Sequence, residues 1–282
     1  MAGVRVVTDS ACDLLDSTVT ELGIGVVPLR IRFGDEELID REELSTKEFW
    51  SRCASSSQLP STAAPSPGQF QAAFEKMADE GAESVVCVNL SSKMSATIES
   101  ARQAAAALEG RLPVRVVDSL SVTLGLGLVV TEAARLAAGG ASLEEVIAAA
   151  DDSISRMKLY GAIDTLENLK KGGRIGGARA LLGTMLSIKP VIEVRDGVVE
   201  EESKQRTRSR SLRYLADKAR AAGPVSKFAV FSADAPDLDE FLGLLEGVAP
   251  TEGTTLYGDV GPVIGSHAGR GAIGVAWVPV KS

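Results

Sequence analysis

Short apolar runs alternate with polar segments along the first half of the chain. The runs at residues 4–7, 24–33, 85–88 and 114–117 are rich in Val and Ile, which is typical of buried strands. A pattern with helical spacing follows each of the last two runs. Strands that alternate with helices predict a parallel sheet with helices on its faces.

Two capping signals mark the starts of helices in this half. Residues 45–48 (Ser-Thr-Lys-Glu) have the form of a capping box and open a predicted helix. Residues 66–69 (Ser-Pro-Gly-Gln) repeat the signal, with proline in the favoured first helical position. The helix that follows has one apolar face, formed by Phe70, Phe74 and Met77.

The pattern changes after about residue 155. Asp196-Gly197 separates the apolar runs 190–194 and 198–200, which is a strong hairpin signal. The other predicted elements are helices at 164–171, through Leu181, Leu182 and Leu186, at 209–221 and at 238–245, and strands at 228–231 and 275–280. Hairpin strands mixed with helices predict a two-layer α+β domain with a mixed sheet. We therefore predict an α/β fold with an N-terminal α/β/α domain at residues 1–155 and a C-terminal α+β domain at residues 156–282.

Composition narrows the classes of partner. The 282 residues are 45% hydrophobic and 24% charged, as in soluble globular proteins. A net charge of −8 and only 4% aromatic residues argue against nucleic acid, which needs clustered basic and stacking side chains. The first residues predict a strand and not a signal peptide, and the longest apolar run is short and broken by glycine. We expect no stable membrane insertion.

Cysteine and histidine usage limits the chemistry. Cys12, Cys53 and Cys87 are far apart and odd in number, which favours reduced thiols in the cytoplasm. The single histidine, His267, excludes most histidine-rich metal sites. Residues 269–274 match G-x-G-x-x-G, but a strand and the end of the chain follow, so a dinucleotide fingerprint is excluded. We expect no metal and no cofactor.

Polar residues follow three of the predicted strands. The ends of these strands carry Asp9-Ser10, Ser91-Ser92 and Asp118-Ser119. Ligands of open α/β sheets bind beyond the carboxyl ends of the strands, where hydroxyls and helix N-termini suit a small anionic group. We interpret the two aspartates as helix caps, because carboxylates repel an anion. The hydroxyls are the better candidates for the site.

His267 lies in a segment, residues 261–274, that contains five glycines. We expect turns here, since so many glycines are unusual in the middle of a helix or strand. The imidazole can donate to an anion, move a proton or cap a loop.

Lys170, Lys171 and Arg174 form a small basic cluster on an acidic protein. The glycine-rich residues 172–177 next to them resemble a phosphate-binding loop but lack its Lys-Ser/Thr ending. The alternative role for these charges is to complement the dipole at a helix C-terminus.

Several segments, taken together, resemble one family. Residues 7–14 look like the opening of DegV family proteins, residues 60–67 like their P-x-T-S-Q-P-S segment, and residues 91–97 like their S-S-x-x-S-G-T segment. Further matches in the same order are residues 117–119, 169–174 and 261–274. The resemblance covers nearly the whole chain.

The resemblance implies a long-chain fatty acid in a tunnel between an α/β and an α+β domain. It places the carboxylate against Thr62, Ser95 and His267, with Ser61 and Ser92 as neighbours. It also implies a non-enzymatic subunit that presents the fatty acid to a separate ATP-dependent fatty acid kinase, whose acyl phosphate product enters phospholipid synthesis. On this basis Lys170, Lys171 and Arg174 are expected to dock the kinase. Residues suited to line the tunnel, or equally an ordinary core, are Leu124, Leu126, Leu128, Leu159, Ile163, Leu166 and Leu186.

Two other functions stay open. A stand-alone hydrolase or kinase-like enzyme would use His267 as a base or covalent site, although neither a G-x-S-x-G elbow nor a phosphate cradle is present. A regulatory or structural protein would hold lipid only as a stabiliser.

Overall fold

The computed structural model describes residues 3–56 and 58–281, apart from the side chains of residues 182–187. The strands are β1 (Gly3–Asp9), β2 (Gly25–Val27), β3 (Arg30–Phe33), β4 (Glu36–Ile39), β5 (Ser61–Ala63), β6 (Ala82–Asn89), β7 (Val114–Asp118), β8 (Lys158–Ala162), β9 (Lys189–Arg195), β10 (Val198–Gln205), β11 (Val225–Ser232), β12 (Leu256–Asp259) and β13 (Ile273–Pro279). The α-helices are α1 (Asp16–Glu21), α2 (Thr46–Ser55), α3 (Pro67–Asp79), α4 (Thr97–Ala107), α5 (Thr123–Ala138), α6 (Leu143–Arg156), α7 (Glu167–Lys171), α8 (Arg208–Ala221), α9 (Leu238–Leu244) and α10 (Pro262–Ala268). Two 3₁₀ segments lie at Ser10–Cys12 and Gly176–Ser187.

The predicted parallel sheet is present, in the order β2-β1-β6-β7. Its side chains alternate between two cores, as the two-residue period of a strand requires. Val7 and Cys87 pack with the apolar faces of α3 and α4, whereas Val6 and Val86 pack on the other side with α5 and α6. The sheet is therefore covered by helices on both faces, which confirms the α/β prediction for this half.

The second sheet is mixed, in the order β10-β9-β8-β13-β11-β12. Its pairs are antiparallel except for β11 and β12. One face packs on α8 and α9, through side chains such as Tyr160 and Val230. The other face, which includes Leu159 and Phe231, joins the core that also contains α5. The predicted hairpin is present, with Asp196 and Gly197 at φ 51° and 80° between β9 and β10.

A small third sheet, β4-β3-β5, corrects the prediction of one long strand at residues 24–33. The run divides into β2, which joins the parallel sheet, and β3, which pairs with β4 and β5. Pro28 lies between them and has no N–H to donate to a sheet. The next N–H, of Leu29, donates to Ser10 Oγ instead. As a result, β3 lies next to β5, the strand that carries Thr62.

The expectation of turns throughout residues 261–274 is also wrong. Pro262 occupies the first turn of α10, and β13 begins at Ile273. The glycine inside this helix, Gly265, allows close packing, because a Cβ there would lie 2.8 Å from Phe49 and 2.9 Å from Trp50. His267 is thus on a short helix and not on a loop.

The capping signals have the expected roles. Ser66 and Gln69 form the complete capping box of α3, with Pro67 at its start. At α2, Ser45 Oγ accepts from the N–H of Glu48. Among the helices of the described ranges, none is both long and apolar enough to cross a bilayer.

Candidate functional site

A cavity of about 840 Å³, including its opening to solvent, lies between the mixed sheet and the elements of the first half. Both halves contribute to its wall. The apolar and glycine residues that line it are Leu29, Leu90, Met94, Val122, Leu159, Gly161, Ile163, Leu169, Ile192, Val194, Val199, Phe231, Val260, Val263, Ile264, Ala268, Ala272 and Ile273. Its apolar wall, with a few polar side chains, is that of a small-molecule site.

Four of the polar residues in this wall are neighbours. Thr62 Oγ1 on β5 lies 3.0 Å from His267 Nε2 in the last turn of α10. Ser95 lies in the turn before α4, where its Oγ is 2.9 Å from Thr97 Oγ1. Arg174 Nε donates to the carbonyl of Met94, the residue before Ser95, over 3.0 Å. The structure thus brings Thr62, Ser95 and His267 to one end of the cavity.

Burial makes His267 a neutral ring at neutral pH. Desolvation, with a further contribution from the charge of Arg174, lowers the pKa of His267 to about 4. Nε2 faces Thr62, whereas Nδ1 is buried and has no hydrogen-bond partner among the described residues. A neutral imidazole beside two hydroxyls offers hydrogen-bond donors to an anion without a buried charge of its own.

Arg174 differs from the other members of the basic cluster. Its guanidinium is half-buried, lines the cavity and donates from Nη1 to the carbonyl of Gly172 over 2.6 Å. Lys170 and Lys171 are exposed near the C-terminus of α7, and Lys171 Nζ lies 2.6 Å from Glu167 Oε1. The basic cluster therefore has two exposed members, Lys170 and Lys171, and one member, Arg174, that lies in the cavity wall.

A polar surface depression lies outside this end of the cavity. It is lined by Gln58, Leu59, Pro60, Ser61, Thr62, Asn168, Lys171, Gly172, Arg174, Ser266 and His267. Thr62, Arg174 and His267 line both the cavity and the depression. These three side chains are the wall between an apolar interior and the polar exterior.

The other predicted site residues lie nearby but outside the cavity wall. Ser61 is exposed and lines the surface depression. Ser92 is not among the described lining residues, and its N–H donates to Asp118 Oδ1. Ser91, which precedes it, is buried and donates from Oγ to the carbonyl of Gly197 over 2.6 Å. Ser91 thus fastens the β9–β10 hairpin to the first half.

Of the two aspartates predicted to cap helices, Asp9 caps the 3₁₀ segment Ser10–Cys12. The prediction is wrong for Asp118, because the next helix, α5, has Val122 at its N-cap. Asp9 accepts from the N–H of Ala11 and of Leu90 and from Asn89 Nδ2, and burial raises its pKa to about 6. Asp118 accepts from the N–H of Ser92 and of Leu120. Neither aspartate lines the cavity.

The leucines predicted for the tunnel divide into two groups. Leu159 and Ile163 line the cavity. Leu124, Leu126, Leu128 and Leu166 are buried in the surrounding core, and Leu186 lies outside the described side chains. Sequence reasoning missed Ile192, Val194 and Phe231, although their alternation with oppositely facing residues on β9 and β11 was a visible signal.

The remaining motifs have structural roles. Residues 269–271 connect α10 to β13, in agreement with the exclusion of a dinucleotide loop. In the described part of the chain, no three His, Cys, Asp or Glu side chains are grouped to hold a metal ion.

An apolar cavity with a polar end defines a class of α/β protein with a site for an amphiphilic small molecule. The model of the DegV family matches residues 3–280, and this chain belongs to that family. A DegV domain-containing protein of Streptomyces coelicolor is 34% identical over 96% of this chain and 97% of its own length. One of Deinococcus radiodurans is 35% identical over 99% of each chain.

Solved structures agree with this assignment. A fatty-acid-binding DegV family protein from Thermus thermophilus matches with a TM-score of 0.89 and 32% identity, covering 99% of this chain and all of the other. DegV of Bacillus subtilis, a fatty acid binding protein, matches with a TM-score of 0.84 and 27% identity over 99% of each chain. The predicted fold class is confirmed.

Proposed function

We propose that this chain binds a long-chain fatty acid in the cavity. The acyl chain lies along the apolar wall, and the carboxylate contacts Thr62, Ser95 and His267. The observation that carries this proposal is the division of the cavity into an apolar wall and one end where these three residues and Arg174 meet. The fatty-acid-binding names of two structural neighbours more than 25% identical support it.

The energetics fit a fatty acid. Burial of a carboxylate requires compensating donors, which two hydroxyls and a guanidinium supply, while the imidazole contacts the Thr62 hydroxyl. Each buried methylene contributes about 0.8 kcal/mol, so a long chain binds tightly without any covalent chemistry.

The bound carboxylate is presented to a separate ATP-dependent fatty acid kinase, which forms the acyl phosphate. Support comes from the family membership and from the three side chains that line both cavity and depression. Lys170 and Lys171 dock the kinase at the exposed rim, and Arg174 links that rim to the carboxylate. A partner that uses ATP implies that both proteins work in the cytoplasm.

The proposed domains, residues 1–155 and 156–282, divide the site between them. Thr62 and Ser95 come from the first, whereas Arg174 and His267 come from the second. Relative movement of the two would therefore open or close the carboxylate end.

Stand-alone hydrolysis is the weaker candidate. The contact between Thr62 and His267 has the length of a nucleophile–base pair. However, no third group in the described ranges hydrogen-bonds to Nδ1, so the ring lacks the orienting partner of a catalytic triad.

The test is to identify what the protein carries. Protein produced in bacteria is denatured and extracted, and the extract is analysed by mass spectrometry, alongside native mass spectrometry of the intact complex. We expect close to one fatty acid per chain. An extract without fatty acid, from protein that also fails to take up added oleate, would contradict the proposal.

A further inference from the structure

Gly172, which lies between Lys171 and Arg174 of the basic cluster, packs against the imidazole of His267. Gly172 caps the C-terminus of α7 at φ −73°, a conformation open to any residue. A Cβ at this position would overlap His267 Nδ1 and lie 3.0 Å from Cε1. The backbone therefore does not require glycine here, whereas the neighbouring ring does.

Gly172 is held in place from both sides. Its N–H donates to the carbonyl of Asn168 over 2.8 Å, and its own carbonyl accepts from Arg174 Nη1 over 2.6 Å. Asn168 also donates from Nδ2 to the carbonyl of Ser266, 3.2 Å away. The end of α7 thus contacts the last turn of α10 through the Asn168–Ser266 hydrogen bond and through Gly172 against the ring.

The two ring nitrogens have different surroundings. Nε2 is 3.0 Å from Thr62 Oγ1, whereas Nδ1 is buried with no hydrogen-bond partner in the described part of the chain. A proton on Nδ1 would be a buried N–H donor without an acceptor, which is rarer in proteins than an acceptor left unpaired. A proton on Nε2 instead donates to Thr62.

We infer that Gly172 is a positioning residue that seats His267 by its Nδ1 edge and fixes the neutral ring with its proton on Nε2. This inference rests on the proposed fatty acid site. When Nε2 donates to Thr62, the hydroxyl hydrogen of Thr62 is free to donate to the carboxylate. Because residue 172 has no side chain, the ring fits with its Nδ1 edge against it. The hydrogen bonds at the ligand then run from Nε2 to Thr62 and from the Thr62 hydroxyl to the carboxylate.

The first test is the position of the proton in the ligand-free protein. Because the chain has one histidine, the long-range ¹H–¹⁵N spectrum of labelled protein reports His267 without overlap. At pH 7 we expect a protonated Nε2 and an unprotonated Nδ1. A proton on Nδ1 would overturn the inference.

The second test is Gly172→Ala with Gly173→Ala as its matched control. Position 173 has φ 72° and open space around a Cβ, so alanine there strains the backbone without contact to the ring. For Gly172→Ala we expect mixed His267 tautomers and a tenfold weaker affinity for oleate, the equivalent of about 1.4 kcal/mol. For Gly173→Ala we expect parental imidazole signals and affinity despite a lower melting temperature.

Other outcomes separate this inference from the proposed function. Parental signals and affinity in Gly172→Ala, or equal changes in both variants, would overturn the positioning role. If Gly172→Ala does not fold, the tautomer of the parent protein decides, because a proton on Nδ1 at pH 7 would overturn the inference. A protein with the expected tautomer that binds no oleate would sink the proposed function and leave the positioning of the ring intact.

Discussion

Two polar clusters, one half-buried and one buried, lie at opposite ends of α10, and their chemistry is opposite. At the C-terminal end is the donor cluster, Thr62, Ser95, Arg174 and His267. At the N-terminal end is the acidic cluster, Asp13 and Asp40, where Asp13 contacts Gly261, the residue before the helix. The two ends are about 9 Å apart along the helix, at 1.5 Å per residue.

Burial shifts the pKa values of Asp13, Asp40 and His267 in the directions that favour their neutral forms. It raises the pKa of Asp13 to about 8, with a contribution from the charge of Asp40, and it raises the pKa of Asp40 to about 6. It lowers the pKa of His267 to about 4. Only the donor cluster lines the cavity, whereas both aspartates face a separate depression on the surface. Donors at the ligand, with carboxylates kept away from it, are what an anionic headgroup requires.

Changes to the side chains of the donor cluster should have the largest effect on fatty acid affinity. We expect His267→Ala, Thr62→Val and Ser95→Ala each to weaken fatty acid binding by about 1–3 kcal/mol. Thr62→Val and Ser95→Ala each remove a donor to the buried carboxylate, and His267→Ala leaves the Thr62 hydroxyl without the partner that orients it. A fluorescent fatty acid displacement titration measures this. Ser92→Ala is the matched control and should bind as the parent does. If His267→Ala, Thr62→Val and Ser95→Ala all bind fatty acid as tightly as the parent and Ser92→Ala do, the carboxylate lies elsewhere.

The acidic cluster should affect stability and not ligand affinity. Because Asp13 has a pKa of about 8 in the folded chain, the folded state keeps a proton that the unfolded state releases near pH 4. Stability therefore falls as the pH rises toward 8, by up to about 1.4 kcal/mol per pH unit for this proton. Urea unfolding of the parent and of Asp13→Asn between pH 6.5 and 8 isolates this contribution, because the opposing contribution of His267, whose ordinary pKa is 6.5, is present in both proteins.

In Asp13→Asn the fall in stability with rising pH should be smaller, and fatty acid affinity at pH 7 should stay at the parental value. A parental slope in the variant would mean that Asp13 ionises normally. A loss of affinity as large as that of His267→Ala would erase the distinction between the two clusters.

Changes to Lys170 and Lys171, the exposed members of the basic cluster, should have the smallest effect, and only on acyl phosphate formation. We expect the double variant Lys170→Ala, Lys171→Ala to keep its fatty acid and to lose roughly two- to fivefold in acyl phosphate formation with a cognate kinase, about 0.5–1 kcal/mol. The loss should disappear at high salt because exposed charges are screened. Lys76→Ala removes a similar exposed i,i+4 ion pair on α3 and should change nothing. A loss of turnover that salt does not reduce would place these lysines in the chemistry instead of the docking.

The sequence by itself determined the elements whose signals are local. The apolar Val-rich runs at residues 4–7 and 85–88 predicted buried strands, and the structure shows their alternate faces in two cores. The capping box at residues 66–69 and the Asp196-Gly197 hairpin are complete within a few residues, so no distant contact was needed to predict them. The identification of Thr62, Ser95 and His267 came from the family resemblance.

Only the tertiary structure decided what depends on distant partners. Pro28 divides one apolar run between two sheets. The half before it, β2, pairs with β1, and the half after it, β3, pairs with β5. Gly265 is tolerated in α10 because aromatic rings of α2 need the space. Arg174 enters the cavity wall because the carbonyl of Met94, 80 positions earlier, accepts its hydrogen bond. Thr62 and His267 are 205 positions apart, and no local propensity predicts a contact over that separation, because packing of the whole chain creates it.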